Sequence, residues 1–93
     1  MTNDELNFKV AEAQGWWNAD GMWMSKDDKS ITTTYTPSTN WEQAGELLEK
    51  YHIELEWNGS KWIASTYSPE IEGQSISSTP QRAICLAVLE AEK

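Results

Sequence analysis

One cysteine, Cys85, stands in 93 residues, so no internal disulfide can form, and no second cysteine or histidine lies at metal-ligand spacing from it. An intracellular protein is expected. There is also a single histidine, His52, and no G-x-S-x-G, which leaves hydrolytic chemistry without a recognisable nucleophile arrangement. The five glycines are scattered and form neither G-x-G-x-x-G nor a Walker sequence, so no phosphate loop is present. Asp20, Asp27, Asp28 and Asn18 lack the order of a calcium loop. No metal, no cofactor and no catalysis are therefore expected. Positive charge is scarce as well: 7 basic residues, Arg82 the one arginine among them, face 15 acidic ones for a formal net charge of -8. Such a surface repels phosphate backbones, which argues against direct nucleic-acid binding. The start MTNDELNFKV has neither a basic nor an apolar leader region, and no run of about eighteen apolar residues occurs, so neither export nor membrane spanning is expected.

What the chain has in excess is tryptophan, six in all: Trp16, Trp17, Trp23, Trp41, Trp57 and Trp62. Indoles give large contact area at low side-chain entropy, so a small core built on them is expected, with one or two left for contact. At 39% apolar, residues 1–93 fit one domain near the lower size limit for folding without disulfides or metals.

Thr2 with Glu5 has the spacing of a capping box, Leu6, Val10 and Ala13 share one helical face, and Gly15 is placed to end a helix over 3–14. From Trp16 to Tyr35 aromatic and β-branched residues predict two or three short strands, broken at Ala19-Asp20-Gly21 and Lys26-Asp27-Asp28-Lys29, with Met22 to Met24 paired to Ser30 to Tyr35. Thr39 with Glu42, or Asn40 with Gln43, caps a second helix from about Trp41 to Tyr51, whose stripe of Trp41, Ala44, Leu48 and Tyr51, extended by Leu47, reads as core. Ile53 to Trp57 alternates strictly, and Asn58-Gly59 predicts a two-residue type I′ turn setting Glu56 opposite Lys61 and Leu55 opposite Trp62. Ser68 to Ser78 has no apolar period and reads as the longest loop. Thr79-Pro80 opens a third helix with Ala83, Ile84, Ala87, Val88 and Ala91 on its apolar stripe. The expected fold is a single α+β domain, a largely antiparallel sheet with three helices in the order α-β-β-α-β-β-α.

Three segments carry a resemblance: the capped helix running into Gly15-Trp16, the run Tyr35-Thr36-Pro37-Ser38-Thr39-Asn40-Trp41, and the hairpin followed by Thr79-Pro80-Gln81-Arg82-Ala83-Ile84-Cys85. In their order and spacing they resemble the small phage-encoded domains of the phage αβα-sandwich family. That resemblance implies a bacteriophage or prophage origin and work in the bacterial host cytoplasm, and it carries no site residues.

The candidate contact residues follow from the aromatics and the acids. Adjacent Trp16 and Trp17 must point to opposite sides if extended, so one indole is buried and the other faces out. Trp17, Trp23, Tyr35 and Tyr67 are the rings for a flat patch, and Glu54 with Glu56 share one face of the hairpin, where an ion pair with Lys61 is the ordinary role. Acidity ordinarily serves solubility; its functional use is to steer the chain to a basic surface of a bacterial host protein. The first functional expectation is thus a non-enzymatic protein that binds and modulates or inhibits a host protein, as an anti-defence factor would. The alternative is a domain sequestering a nucleotide signal in an aromatic pocket. A homodimer through the hairpin face or an edge strand at Met22 to Met24 is a further possibility.

Overall fold

The structure is a computed structural model that describes residues 1–25, 30–32, 34–67 and 72–92, with the backbone alone described for 30–32, 67 and 72–74. The Lys26 to Lys29 break, Thr33 and the Ser68 to Ile71 part of the expected loop lie outside the described residues.

Each helix begins at a capping side chain. Thr2 Oγ1 accepts from the Glu5 amide at 3.2 Å and opens α1, Asn3–Ala13. At its other end Gly15 takes φ +84°, its N–H donates to Glu12 O, and the Trp16 N–H reaches Ala11 O. These two bonds form a Schellman motif, which turns Trp16 back against the core. Of the two caps expected for α2, Trp41–Lys50, Asn40 is the one used, accepting from the Gln43 amide at 3.1 Å. Gln43 ties the same segment down from within the helix: its Oε1 accepts from the Thr36 amide at 2.7 Å and its Nε2 donates to Thr34 O at 2.9 Å. Thr79 caps α3, Pro80–Ala91, with Pro80 in the first turn.

The strands form two three-stranded antiparallel sheets. The first holds β1 (Trp17–Ala19), β2 (Met22–Met24) and β3 (Ser30–Thr32) in that order; the second holds β4 (Ile53–Trp57), β5 (Trp62–Tyr67) and β6 (Glu72–Ser77). The α+β class stands, with a third strand in each half. Part of the stretch read as a loop is β6, which pairs Ile76 with Ile63 and Ser75 with Ala64. Its lack of an apolar period has a physical reason. The position that faces the helix layer is Ser75, which is buried, while Ile76 points to water, so the usual hydrophobic-in alternation is inverted.

The apolar face of β4 and β5 is covered by α3, which also lies across β6, and α1 and α2 both pack on α3. Buried positions in this layer are small on both elements, Ala64 and Ser75 on the sheet and Ala83, Ala87 and Ala91 on the helix. Larger side chains, Leu6, Val10, Leu47, Ile53, Ile84 and Val88, complete the core. Arg82 links two helix starts, its guanidinium donating to Asn3 Oδ1 and, at 2.9 Å, to Met1 O.

The Asn58-Gly59 turn differs from expectation. Trp57 pairs with Trp62, Glu56 with Ile63 and Leu55 with Ala64, so four residues, Asn58 to Lys61, make the loop. A type I′ turn needs positive φ at both central residues, and only Gly59 has it, at +94°. Asn58 instead uses its side chain, Oδ1 accepting from the amides of Ser60 (2.9 Å) and Lys61 (2.8 Å). The shift is by two residues, so the faces of both strands are as expected. The two-residue turn with both φ values positive occurs at Asp20 (+51°) and Gly21 (+84°), joining β1 to β2.

Candidate interaction surface

The expected division of the adjacent indoles holds. Trp16 is half-buried, packed edge-on to Tyr35 with ring centroids 4.8 Å apart, whereas Trp17, the first residue of β1, is 42% exposed. The flat aromatic patch does not. Trp23 is 6% exposed and Tyr35 8%, and both belong to the core. Trp23 lies in the middle strand of its sheet, where the side opposite Met22 and Met24 meets Phe8 of α1 at 5.0 Å between centroids, in an edge-to-face arrangement. Tyr35 precedes the buried Pro37 and Ser38, a segment drawn onto α1 where the Ser38 amide donates to Asn7 Oδ1 at 3.0 Å. The Tyr35 hydroxyl accepts from Gln14 Nε2 at 2.8 Å, and Gln14 Oε1 accepts in turn from Lys50 Nζ at 3.1 Å, so α1, α2 and the Tyr35 segment meet through one amide. Burial raises the pKa of this phenol well above its usual value, and that of Tyr51 likewise, where a hydrogen bond to Glu92 adds to the effect. Tyr67 closes β5 opposite Glu72, at the far end of the sheet from Trp57 and Trp62.

Glu54 and Glu56 are exposed on the outer face of the second sheet, the one α3 does not cover. The observed register sets them opposite Ser65 and Ile63, with Lys61 in the loop, so the expected cross-strand pair of Glu56 with Lys61 is replaced by a contact row Glu56, Ile63, Ile76. Ile76 is 52% exposed, which leaves apolar surface beside the carboxylates. The homodimer edges read from the sequence are both occupied: β2 is the central strand of its sheet, and the apolar hairpin face lies under α3.

Two exposed indoles were missed by sequence reasoning. Trp41, expected in the core stripe of α2, is 53% exposed, and Trp57 is 51% exposed at the end of β4, in contact with Trp62 at 5.3 Å. For Trp41 the cause is position: as the first residue of α2 it lies about 60° around the helix from Ala44, outside the arc that Ala44 and Leu47 bury. Trp57 is the last residue of β4, at the end of the sheet, where it pairs with Trp62.

Cys85 is fully buried in α3, and burial pushes its thiol pKa up to about 12, the signature of an inert core cysteine. Among the described residues no group of three or more His, Cys, Asp or Glu side chains is placed to hold a metal ion, and no helix is long and apolar enough to cross a membrane.

The family model described as Bacteriophage P22, NinX matches residues 1–89, nearly the whole chain. The chain belongs to the NinX family. It is a small phage protein, in agreement with the origin implied by the resemblance of its three marked segments. The fold is also that of a solved phage protein from Bacillus cereus ATCC 14579, at 20% identity and a TM-score of 0.78 over 98% of this chain and 92% of that one. No curated protein matches the chain.

Proposed function

We propose that this NinX-family protein acts without catalysis, in the host cytoplasm, by binding a bacterial protein through a basic surface on that protein and so modulating or inhibiting it. The observation that carries the reading is the outer face of β4, β5 and β6, opposite α3 and open among the described residues. There Glu54 and Glu56 flank Ile63 and the exposed Ile76, an arrangement the core does not need. The exposed Ile76 beside the half-buried Ile63 supplies desolvation energy, and carboxylates around them favour a partner bearing lysine or arginine. With a formal charge of -8 the chain attracts such a surface from a distance and repels nucleic acid. Sequestration of a nucleotide has weaker support, because Trp23 and Tyr35, two rings that would wall the pocket, are spent in the core.

The test is affinity capture from a bacterial lysate at low and at high salt, with wild type beside a Glu54→Lys, Glu56→Lys variant. One dominant host protein that is lost at high salt and absent from the variant's eluate is the expected result. Capture indifferent both to salt and to the two charge reversals removes the electrostatic reading.

A further inference from the structure

Helix α2 contains a glycine that its own structure does not require. Gly45 stands in mid-helix, its φ is not in the left-handed region, and a Cβ built on it would meet nothing within 4 Å among the described residues. Alanine there would strengthen the helix, since glycine is the poorest helix former after proline. Neither a turn nor a close approach by the described residues accounts for the glycine, and a close approach from outside would.

Its surroundings have a definite chemistry. Trp41, Gly45 and Leu48, at spacings of four and three, follow one seam along the helix, with the Trp41 indole exposed at one end and Leu48 partly buried at the other. Glu42, Glu46 and Glu49 repeat the same spacings one residue on and form a parallel, exposed acidic rail. The buried side of α2, Ala44 and Leu47, adjoins this seam, and Leu48 at the border packs against the core. A narrow apolar seam with a gap in its middle, beside a line of carboxylates, is complementary to an amphipathic helix whose apolar ridge is flanked by lysines and arginines.

We infer that α2 seats a basic amphipathic helix of the partner protein, one of its side chains filling the gap over Gly45 and one of its cations lying on the Trp41 indole within reach of Glu42. This rests on the reading of a basic host partner and adds a contact on a different element from the β4 to β6 face. The gap sets the closeness of the approach, because helix separation depends on the side chains at the crossing point. The indole face supplies a cation site that the rail of carboxylates reinforces.

The probe is a synthetic helical peptide with a leucine ridge flanked by lysine and arginine, titrated at low salt into the isotopically labelled full chain and followed by NMR. A second titration uses Gly45→Ala. The expected result is shifts centred on the Trp41 indole N–H and the amides of Glu42, Gly45, Leu48 and Glu49, with Gly45→Ala melting higher than wild type yet binding the peptide about tenfold more weakly. Because that variant is the more stable one, its loss of binding cannot be a loss of folding. Undiminished binding by Gly45→Ala, shifts centred on Glu54, Glu56 and Ile76, or no shifts at all would each overturn the α2 seat. The first two leave the basic-partner reading intact; that reading fails separately, in the lysate capture with the Glu54→Lys, Glu56→Lys variant.

Discussion

The two sheets have the same strand count and the same antiparallel order, yet they are held to the protein in opposite ways. The second, β4 to β6, is roofed by α3 along its length, so its stability comes from an extended layer of small buried residues: Ala64, Ser75, Ala83 and Ala87. In the first, β1 to β3, the buried residue among the described side chains is Trp23, set against Phe8 of α1, while all of β1 is exposed. A layer distributes the loss when one contact fails; a single anchor concentrates it. Their hairpins differ in the same spirit. Asp20-Gly21 turns in two residues by placing both backbones at positive φ, and Asn58-Gly59 opens to four residues because the Asn58 side chain satisfies two amides instead.

The sharpest way to break this comparison is at the anchor. Trp23→Ala should cost about 3 kcal/mol, with hydrogen exchange accelerating in β1 and β2 while β5 keeps its protection; Trp17→Ala, on an exposed side chain of the same sheet, should stay within about 0.5 kcal/mol. Equal loss of protection in both sheets after Trp23→Ala would mean that they unfold as one unit and that the anchor picture is wrong. The hairpins offer the next largest effect. Asn58→Ala removes two accepted hydrogen bonds and should lower stability by about 1.5 kcal/mol in a denaturant titration, whereas an unchanged midpoint would show that water replaces both. The smallest effect lies at the join between α2 and β4. His52 is held at φ +52°, where a Cβ is unfavourable, so His52→Gly should stabilise by about 1 kcal/mol, read as a higher thermal midpoint. A lower midpoint would reveal a contact of the imidazole that outweighs the strain.

Local chemistry was legible to within a residue, with the cap of α2 left between Thr39 and Asn40. The three helices, the caps at Thr2, Asn40 and Thr79, the αL stop at Gly15 and the pairing of β2 with β3 all follow from capping geometry and periodicity, which act over a few residues. The Trp16 and Trp17 division came out as expected, though the Schellman turn at Gly15 sets it and not alternation, since all three residues of β1 are exposed. Of the proposed surface, Glu54 and Glu56 fall on the open face through the alternation of β4 alone, and the two-residue register shift leaves that placement untouched.

Other features depended on partners far away in the chain. The strand β6 could not be recognised because its buried position, Ser75, is chosen for the approach of α3 and not for hydrophobicity. Trp23 and Tyr35 became core, and Trp41 and Trp57 surface, because ring burial is decided by what lies opposite: Phe8 for the first, Trp16 and Gln14 for the second, whereas the last two stand at the ends of their elements, the start of α2 and the end of β4. By itself the sequence determined the helices, their ends and the faces of the hairpin, since these rest on hydrogen bonds and repeats within a turn or two. Only the tertiary structure decided how the tryptophans divide between core and surface, because burial is a property of pairs of surfaces brought together from opposite ends of the chain.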